Sequence, residues 1–264
     1  VRNKAVVLLT AIFLFAVALS ARAEPVSFAV VSDTHVGAEN SVYANFIRIV
    51  EKEGIPVIIH TGDATHNPGE SSQWEEFVDI TGPGKVIHLA PGNHDIQGKK
   101  SLAVYLKFFP KSYSSFSEGD TLFVLLNTEL PGEEGMVTGK QFAWLEAELR
   151  RPFRYKFVFL HEPLFPVLPH HGLDRHKEAR DRLHQLFEKE GVALVVAGHD
   201  HIYNRSMKGS IIYIIAAGSG GRAQTPEEAK FNFRYILVTR TEPGYSFILK
   251  DIDGHTGDEF TVSR

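Results

Sequence analysis

The sequence contains no cysteine. That excludes a disulfide framework and a thiolate-held structural zinc, and it leaves core burial and any ion bound by oxygen or nitrogen donors as the sources of stability. A Ser/Gly/Pro-rich linker, a low-complexity tract and a repeat of solenoid length are also missing, so a single domain over residues 24–264 is expected. Basic charge is not in excess: 28 Lys and Arg face 32 Asp and Glu, a formal charge of −4. Such a balance argues against a protein that coats nucleic acid, where Lys and Arg dominate binding. A long apolar run occurs only at the start, where Arg2 and Lys4 precede a largely apolar stretch over residues 5–19, followed by Ser20-Ala21-Arg22-Ala23. The run is shorter than the ~20 residues that span a bilayer comfortably, and the small-x-small pattern suits signal peptidase. Residues 1–23 therefore read as a signal peptide cleaved after Ala23, with an uncleaved membrane anchor as the alternative. The expected location is outside the cytoplasm, periplasmic or extracellular, with no membrane span once the leader is gone. Removing Arg2, Lys4 and Arg22 takes the charge from −4 to −7.

What is present alternates between two periodicities. SFAVV (27–31) and PVIIH (56–60) are short, β-branched and almost wholly apolar, as strands covered on both faces are. Between them Phe46, Ile47 and Val50 fall at helical spacing over residues 43–53, and Gly54 stops the helix. The same logic predicts helices over 73–80, 140–151 and 176–190, and strands over 86–90, 121–127, 156–160 and 192–197. After Gly198 strands follow without helices, at 211–215, 234–239, 245–251 and near Phe260, the profile of a second, mostly antiparallel sheet. Two sheets packed face to face with helices outside are expected, an α/β (α+β) architecture.

Acids and histidines cluster just past the predicted strands: SDTH (32–35), HTGD (60–63), PGNHD (91–95), LHEP (160–163) and AGHDH (197–201). In open α/β sheets that edge is where sites form, so five loops would converge on one crevice. Carboxylate, amide oxygen and imidazole all suit divalent or trivalent first-row ions. Two such ions about 3.5–4 Å apart, acting with a metal-bound hydroxide as nucleophile, need one carboxylate between them. Asp63, behind Gly62 after a buried strand, is the candidate bridge, and on a turn His199 and His201 could each ligate a different ion. Singly these motifs are commonplace, since Asp or His at a strand end is usually a turn former. PGNHD is more specific, recurring by chance on the order of once in 10⁵ positions. All five in this order point to a metal centre.

The set resembles the calcineurin-like metallophosphoesterase superfamily, whose members carry D-x-H, G-D, G-N-H-[DE], H and G-H-x-H in that order. The match spans nearly all of residues 24–264, and GKQFAWLEAELRR (139–151), AGHDHIYNR and IIAAGSGG resemble purple-acid-phosphatase-like and class III cyclic-nucleotide-phosphodiesterase-like members. The resemblance implies a four-layer αββα sandwich of two mixed sheets. It implies that Asp33, His35 and His201 hold one metal, that Asn93, His161 and His199 hold a second, and that Asp63 serves both. A bridging hydroxide would attack phosphorus, with Asn93 and His94 facing the phosphate and His94 acting as general acid. The chain departs from the pattern at His66, where purple acid phosphatases have tyrosine and many other members an aspartate that orients the general acid. Asp95 is the nearest substitute in sequence, and a His66→Ala change is expected to weaken His94 mildly. A long C-terminal domain of the exported 5′-nucleotidase kind is not expected, which lowers that option.

Other residues are weighed as substrate contacts: His170 and His171 in the loop PVLPHHGLD, and Arg205, whose guanidinium fork fits a phosphate oxygen but equally a surface carboxylate. His60 and His88, inside predicted strands, read as buried and satisfied, and Glu162 as a neighbour of the site. The expected function is hydrolysis of phosphate esters of a small phosphorylated molecule with two ions of Fe, Mn or Zn. Monoester and diester both stay open, because both use the same ligands. A non-catalytic scaffold or a binder without turnover is the rival, and none of the seven ligand positions is lost.

Overall fold

The computed structural model describes residues 27–216, 218 and 233–264. The predicted leader and most of the GSGG segment lie outside them. Among the described residues twelve strands form two six-stranded mixed sheets. The first runs β12-β11-β10-β1-β2-β3, built from β1 (Ser27–Val31), β2 (Val57–His60), β3 (Val86–Leu89), β10 (Arg234–Arg240), β11 (Gly244–Asp251) and β12 (Thr256–Ser263). The second runs β4-β5-β6-β7-β9-β8, from β4 (Ser114–Glu118), β5 (Thr121–Leu125), β6 (Tyr155–Phe159), β7 (Leu194–Ala197), β8 (Asn204–Lys208) and β9 (Ile211–Ile215). The strand-only stretch thus does not make a sheet of its own. β8 and β9 extend the second sheet, and β10 to β12 extend the first, antiparallel from β1 outward.

Alternation along each central strand explains the continuous apolar runs. Phe28 and Val30 face the core between the sheets with Phe123, Phe157, Phe159 and Phe247, whereas Ala29 and Val31 face an outer core. That outer core is closed by α1 (Tyr43–Lys52), α2 (Ser71–Thr81) and α3 (Gly98–Phe108) through Phe46, Trp74, Phe77 and Tyr105. On the far side α4 (Gly139–Leu149) and α5 (Lys177–Lys189) cover Val124 and Val158 with Leu145, Leu183 and Phe187. The order is helix, sheet, sheet, helix. A strand with apolar residues on both faces has no side to give to water, which is why these runs lack polar alternation. Among the described residues no helix is long and apolar enough to cross a membrane.

Parallel pairing aligns the strand ends. Val31 pairs with His60 and His60 with Leu89, and in the other sheet Phe159 pairs with Val196. The C-terminal ends of β1, β2, β3, β6 and β7 therefore open on one edge of the sandwich, and the five motifs follow them directly.

Candidate metal centre

The five loops bring the side chains together in two groups, Asp33, His35 and His201 on one side and Asp63, His161 and His199 on the other, each with donor atoms within 4.8 Å of one another. Asp63 stands between them, its Oδ2 3.4 Å from His161 Nε2 and 3.8 Å from His35 Nε2. His201 Nε2 lies 3.3 Å from Asp33 Oδ1. Asn93 Oδ1 and His199 Nδ1 each lie 3.1 Å from His161 Nε2.

Backbone hydrogen bonds hold the two carboxylates. Asp63 Oδ1 accepts the His94 amide at 2.8 Å, and Asp33 accepts the His199 amide at 3.1 and 3.2 Å. Asp33, His35, Asp63, His199 and His201 all adopt positive φ, between 44° and 74°. That region is unfavourable for side-chain-bearing residues and is entered when a tight turn must aim a side chain. Among the described residues the only other non-glycine at positive φ is His170.

The donor chemistry fits cations. His161 Nδ1 is 2.9 Å from the Thr61 carbonyl, which can only accept, so Nδ1 carries a proton and Nε2 is the nitrogen whose lone pair a cation would take. That lone pair is ringed by Asp63 Oδ2, Asn93 Oδ1 and His199 Nδ1. One proton could satisfy a single partner there, whereas a cation satisfies all four donors. Titration follows the same field. Burial opposes charge on Asp33 and Asp63, but His201 beside the first and His161 beside the second hold both carboxyls well below the usual range. Burial likewise opposes charge on His161 and His201, and the facing carboxylates of Asp63 and Asp33 raise both. Burial pushes His35 down to about 4, and burial with the His161 charge pushes His199 down to about 3. These two are neutral at ordinary pH, the state in which imidazole ligates.

His94 sits at the mouth of the centre, its ring 4.6 Å from that of His35. Its Nδ1 donates to the main-chain carbonyl of His66 at 2.6 Å, and the two rings stack 5.7 Å apart. Asp95 is not its partner. The Asp95 carboxylate is buried and accepts the amides of Thr65 (3.1 Å) and Gly92 (2.9 Å), stapling two loops, while burial and the Asp63 charge push it up to about 6. His171 stacks on His199 at 4.2 Å and its Nδ1 lies 2.8 Å from Asp200 Oδ1, whereas His170 is exposed and tied through its amide to Asp174. Asp200, between the two histidines of AGHDH, also accepts the Val167 amide at 2.7 Å and so anchors the loop of residues 163–173. Sequence reading missed this role, although an acid between two candidate ligand histidines is a visible signal.

Arg205 is not a phosphate contact. Its fork is filled by Asp258 on β12, at 2.7 and 3.2 Å, and it lies over Phe260. His60 is satisfied by Thr34 Oγ1 and the Gly62 amide, and His88 stacks on Phe116 at 3.7 Å. Glu162 is engaged by Arg175 at 2.6 and 2.7 Å.

The profile of the Calcineurin-like phosphoesterase family matches residues 26–203. A serine/threonine-protein phosphatase CPPED1 from Danio rerio is 28% identical over 165 residues, 54% of this chain and 53% of that protein. Purple acid phosphatase PPD1 from yellow lupin (Lupinus luteus) seeds superposes over 91% of this chain and 54% of its own with a TM-score of 0.72 at 18% identity. GAP50, the anchor in the inner membrane complex of Plasmodium, superposes over 90% of this chain and 89% of its own with a TM-score of 0.68 at 12% identity. The chain thus spans about half the length of the CPPED1 relative and of the lupin phosphatase, and at these identities the structural matches speak for the fold.

Proposed function

The chain belongs to the calcineurin-like phosphoesterase family, and from that premise we propose that it is a metal-dependent hydrolase of phosphate esters of a small phosphorylated molecule. The observation that carries the reading is Asp63, placed between two groups of buried donors. Asp33, His35 and His201 would hold one ion, Asn93, His161 and His199 another, and Asp63 both. Bound Fe, Mn or Zn ions supply Lewis acidity toward phosphoryl oxygens and toward water.

The chain's own groups do the rest. Asn93 and His94 bind the phosphate at the mouth, and His171, stacked on His199, contacts it from the loop. Water adds its oxygen to phosphorus, and the P–O bond to the leaving group breaks with its electron pair on the leaving oxygen. His94, with Nδ1 held by the His66 carbonyl, delivers the Nε2 proton that makes that oxygen an alcohol. The proton shed by the water returns the imidazole to its acid form.

Export is part of the proposal, supported by the charged and apolar pattern of residues 1–23. N-terminal sequencing of the secreted protein should start at Glu24, and retention of Arg2 would instead favour a membrane anchor.

The activity is tested with p-nitrophenyl phosphate and bis(p-nitrophenyl) phosphate in Mn²⁺, on protein analysed for metal. Turnover of either supports the reading, and bound metal with no turnover of any ester would reduce the protein to a binder. His94→Asn should keep its metal and lose about 10²–10⁴-fold on an alkyl phosphate but much less on p-nitrophenyl phosphate, whose leaving group needs no proton. Equal losses on the two would sink the general-acid assignment.

A further inference from the structure

The resemblance read from the sequence would place an orienting carboxylate at position 66, and this chain has His66 there. Its imidazole does not make the contact. The group that holds His94 Nδ1 is the main-chain carbonyl of His66, at 2.6 Å. A carbonyl can orient a ring only if the peptide carrying it is fixed, and the loop of residues 63–67 is exposed from His66 onward.

One side chain fixes that peptide. Gln73, on the first turn of α2 and 9% exposed, turns its Oε1 back to accept the amides of His66 (3.1 Å) and Asn67 (2.7 Å). The His66 amide also donates to the Val36 carbonyl at 3.0 Å, beside the bridge between Val36 and Thr65. Room for this arrangement is made at Gly37, which has φ +98° and whose absent Cβ would collide with the Gln73 side chain. The opposite flank of the loop is stapled by Asp95 through Thr65, so the peptide at 66 is clamped from both sides.

We propose that Gln73 is a positioning residue for His94, acting through the carbonyl of His66 in place of the missing carboxylate. The inference rests on the reading of His94 as general acid. A neutral acceptor fixes the Nδ1 proton without taking it up, so Nε2 is the ring nitrogen left to exchange a proton with substrate. It also predicts which atoms are dispensable: the His66 side chain is, and the Gln73 acceptor oxygen is not.

The test uses the full chain loaded with Mn²⁺, with metal content and rates on an alkyl phosphate and on p-nitrophenyl phosphate measured for four variants. Gln73→Ala should retain its metal and lose about 10-fold or more on the alkyl phosphate while changing less than about 3-fold on p-nitrophenyl phosphate, a fraction of the full general-acid effect. Gln73→Glu, which keeps an acceptor oxygen in place, should restore the alkyl phosphate rate. His66→Ala should stay within about 2-fold of the parent on both, in place of the mild His94 defect expected from the sequence, because the imidazole does not hold His94 Nδ1. His94→Asn separates the two readings. If it shows no leaving-group dependence, the general-acid reading fails. If it shows that dependence and Gln73→Ala lowers both rates alike, or Gln73→Glu is as poor as Gln73→Ala, the positioning role fails. Should Gln73→Ala not fold, His66→Ala still decides, because a leaving-group-dependent loss there would place the orienting group on the side chain and overturn the proposal.

Discussion

Asp33, His35, Asp63, His199 and His201 hold positive φ inside one cluster, a conformation that costs about 1–3 kcal/mol at each non-glycine position. Asparagine tolerates that region as aspartate does, so Asp63→Asn tests charge with little change in backbone preference. Metal content and hydrolysis should fall together, by atomic absorption and rate assay, and a variant with full metal and near-normal rate would remove Asp63 from the shared position. A second residue-scale expectation concerns Glu129. It is buried, its Oε1 accepts from Thr128 Oγ1 at 2.8 Å, and burial and the neighbouring Glu162 charge push it from 4.5 up to about 8, with Asp63 adding to the rise and His161 opposing it. A folded value raised above the unfolded one means that the native state holds the extra proton. Stability from this group is complete below about 4.5 and is lost as pH rises through about 8. In metal-free protein, Glu129→Gln should therefore gain roughly 2–4 kcal/mol over the parent at high pH and little at low pH. Urea unfolding at both extremes checks it, and parallel pH curves would contradict it.

At the scale of elements, the turns after the strands are built by small residues as much as by the candidate ligands. A Cβ at Gly92 would strike Asp63 and come within 2.7 Å of His161 Cγ, so the chain of PGNHD can pass over the centre only without a side chain. Gly92→Ala should cost about 1–3 kcal/mol, as overpacking of a tight site does, and should weaken metal retention. Thermal unfolding and metal analysis would show it, and a variant with unchanged metal content would mean that this turn has slack. Most elements were legible because their apolar spacing is strong: β1, α1 and β9 fall where the pattern places them. Three were not. β4 and β8 are the edges of the second sheet, and SSFSE and NRSMK, half in water, carry one apolar residue each, which no alternation rule registers. α3 starts at Gly98 with no side-chain cap and buries only Ser101 and Tyr105 fully, so its amphipathic signal is faint.

For the whole molecule, the centre ties the two sheets together: Asp33, Asp63 and Asn93 follow strands of the first, and His161, His199 and His201 follow strands of the second. Ions shared across that junction should stabilise the sandwich. At a free metal concentration 100 times the Kd the gain is about 2.7 kcal/mol, so chelation should lower Tm by roughly 5–10 °C, reversed by adding Mn²⁺. A Tm indifferent to both steps would argue that the site holds no resident metal. The sequence by itself determined the order of strand and motif, since apolar period, turn chemistry and donor type are written in contiguous residues and need no distant partner to be read. Only the tertiary structure decided the rest. β10 to β12 join β1 rather than β9 because Ser27 pairs with Thr239, a contact with no local signal. Arg205 meets Asp258 instead of phosphate because β8 and β12 bring them together at the rim. His94 is held by a carbonyl, which every residue possesses, so no side chain at position 66 could have announced it.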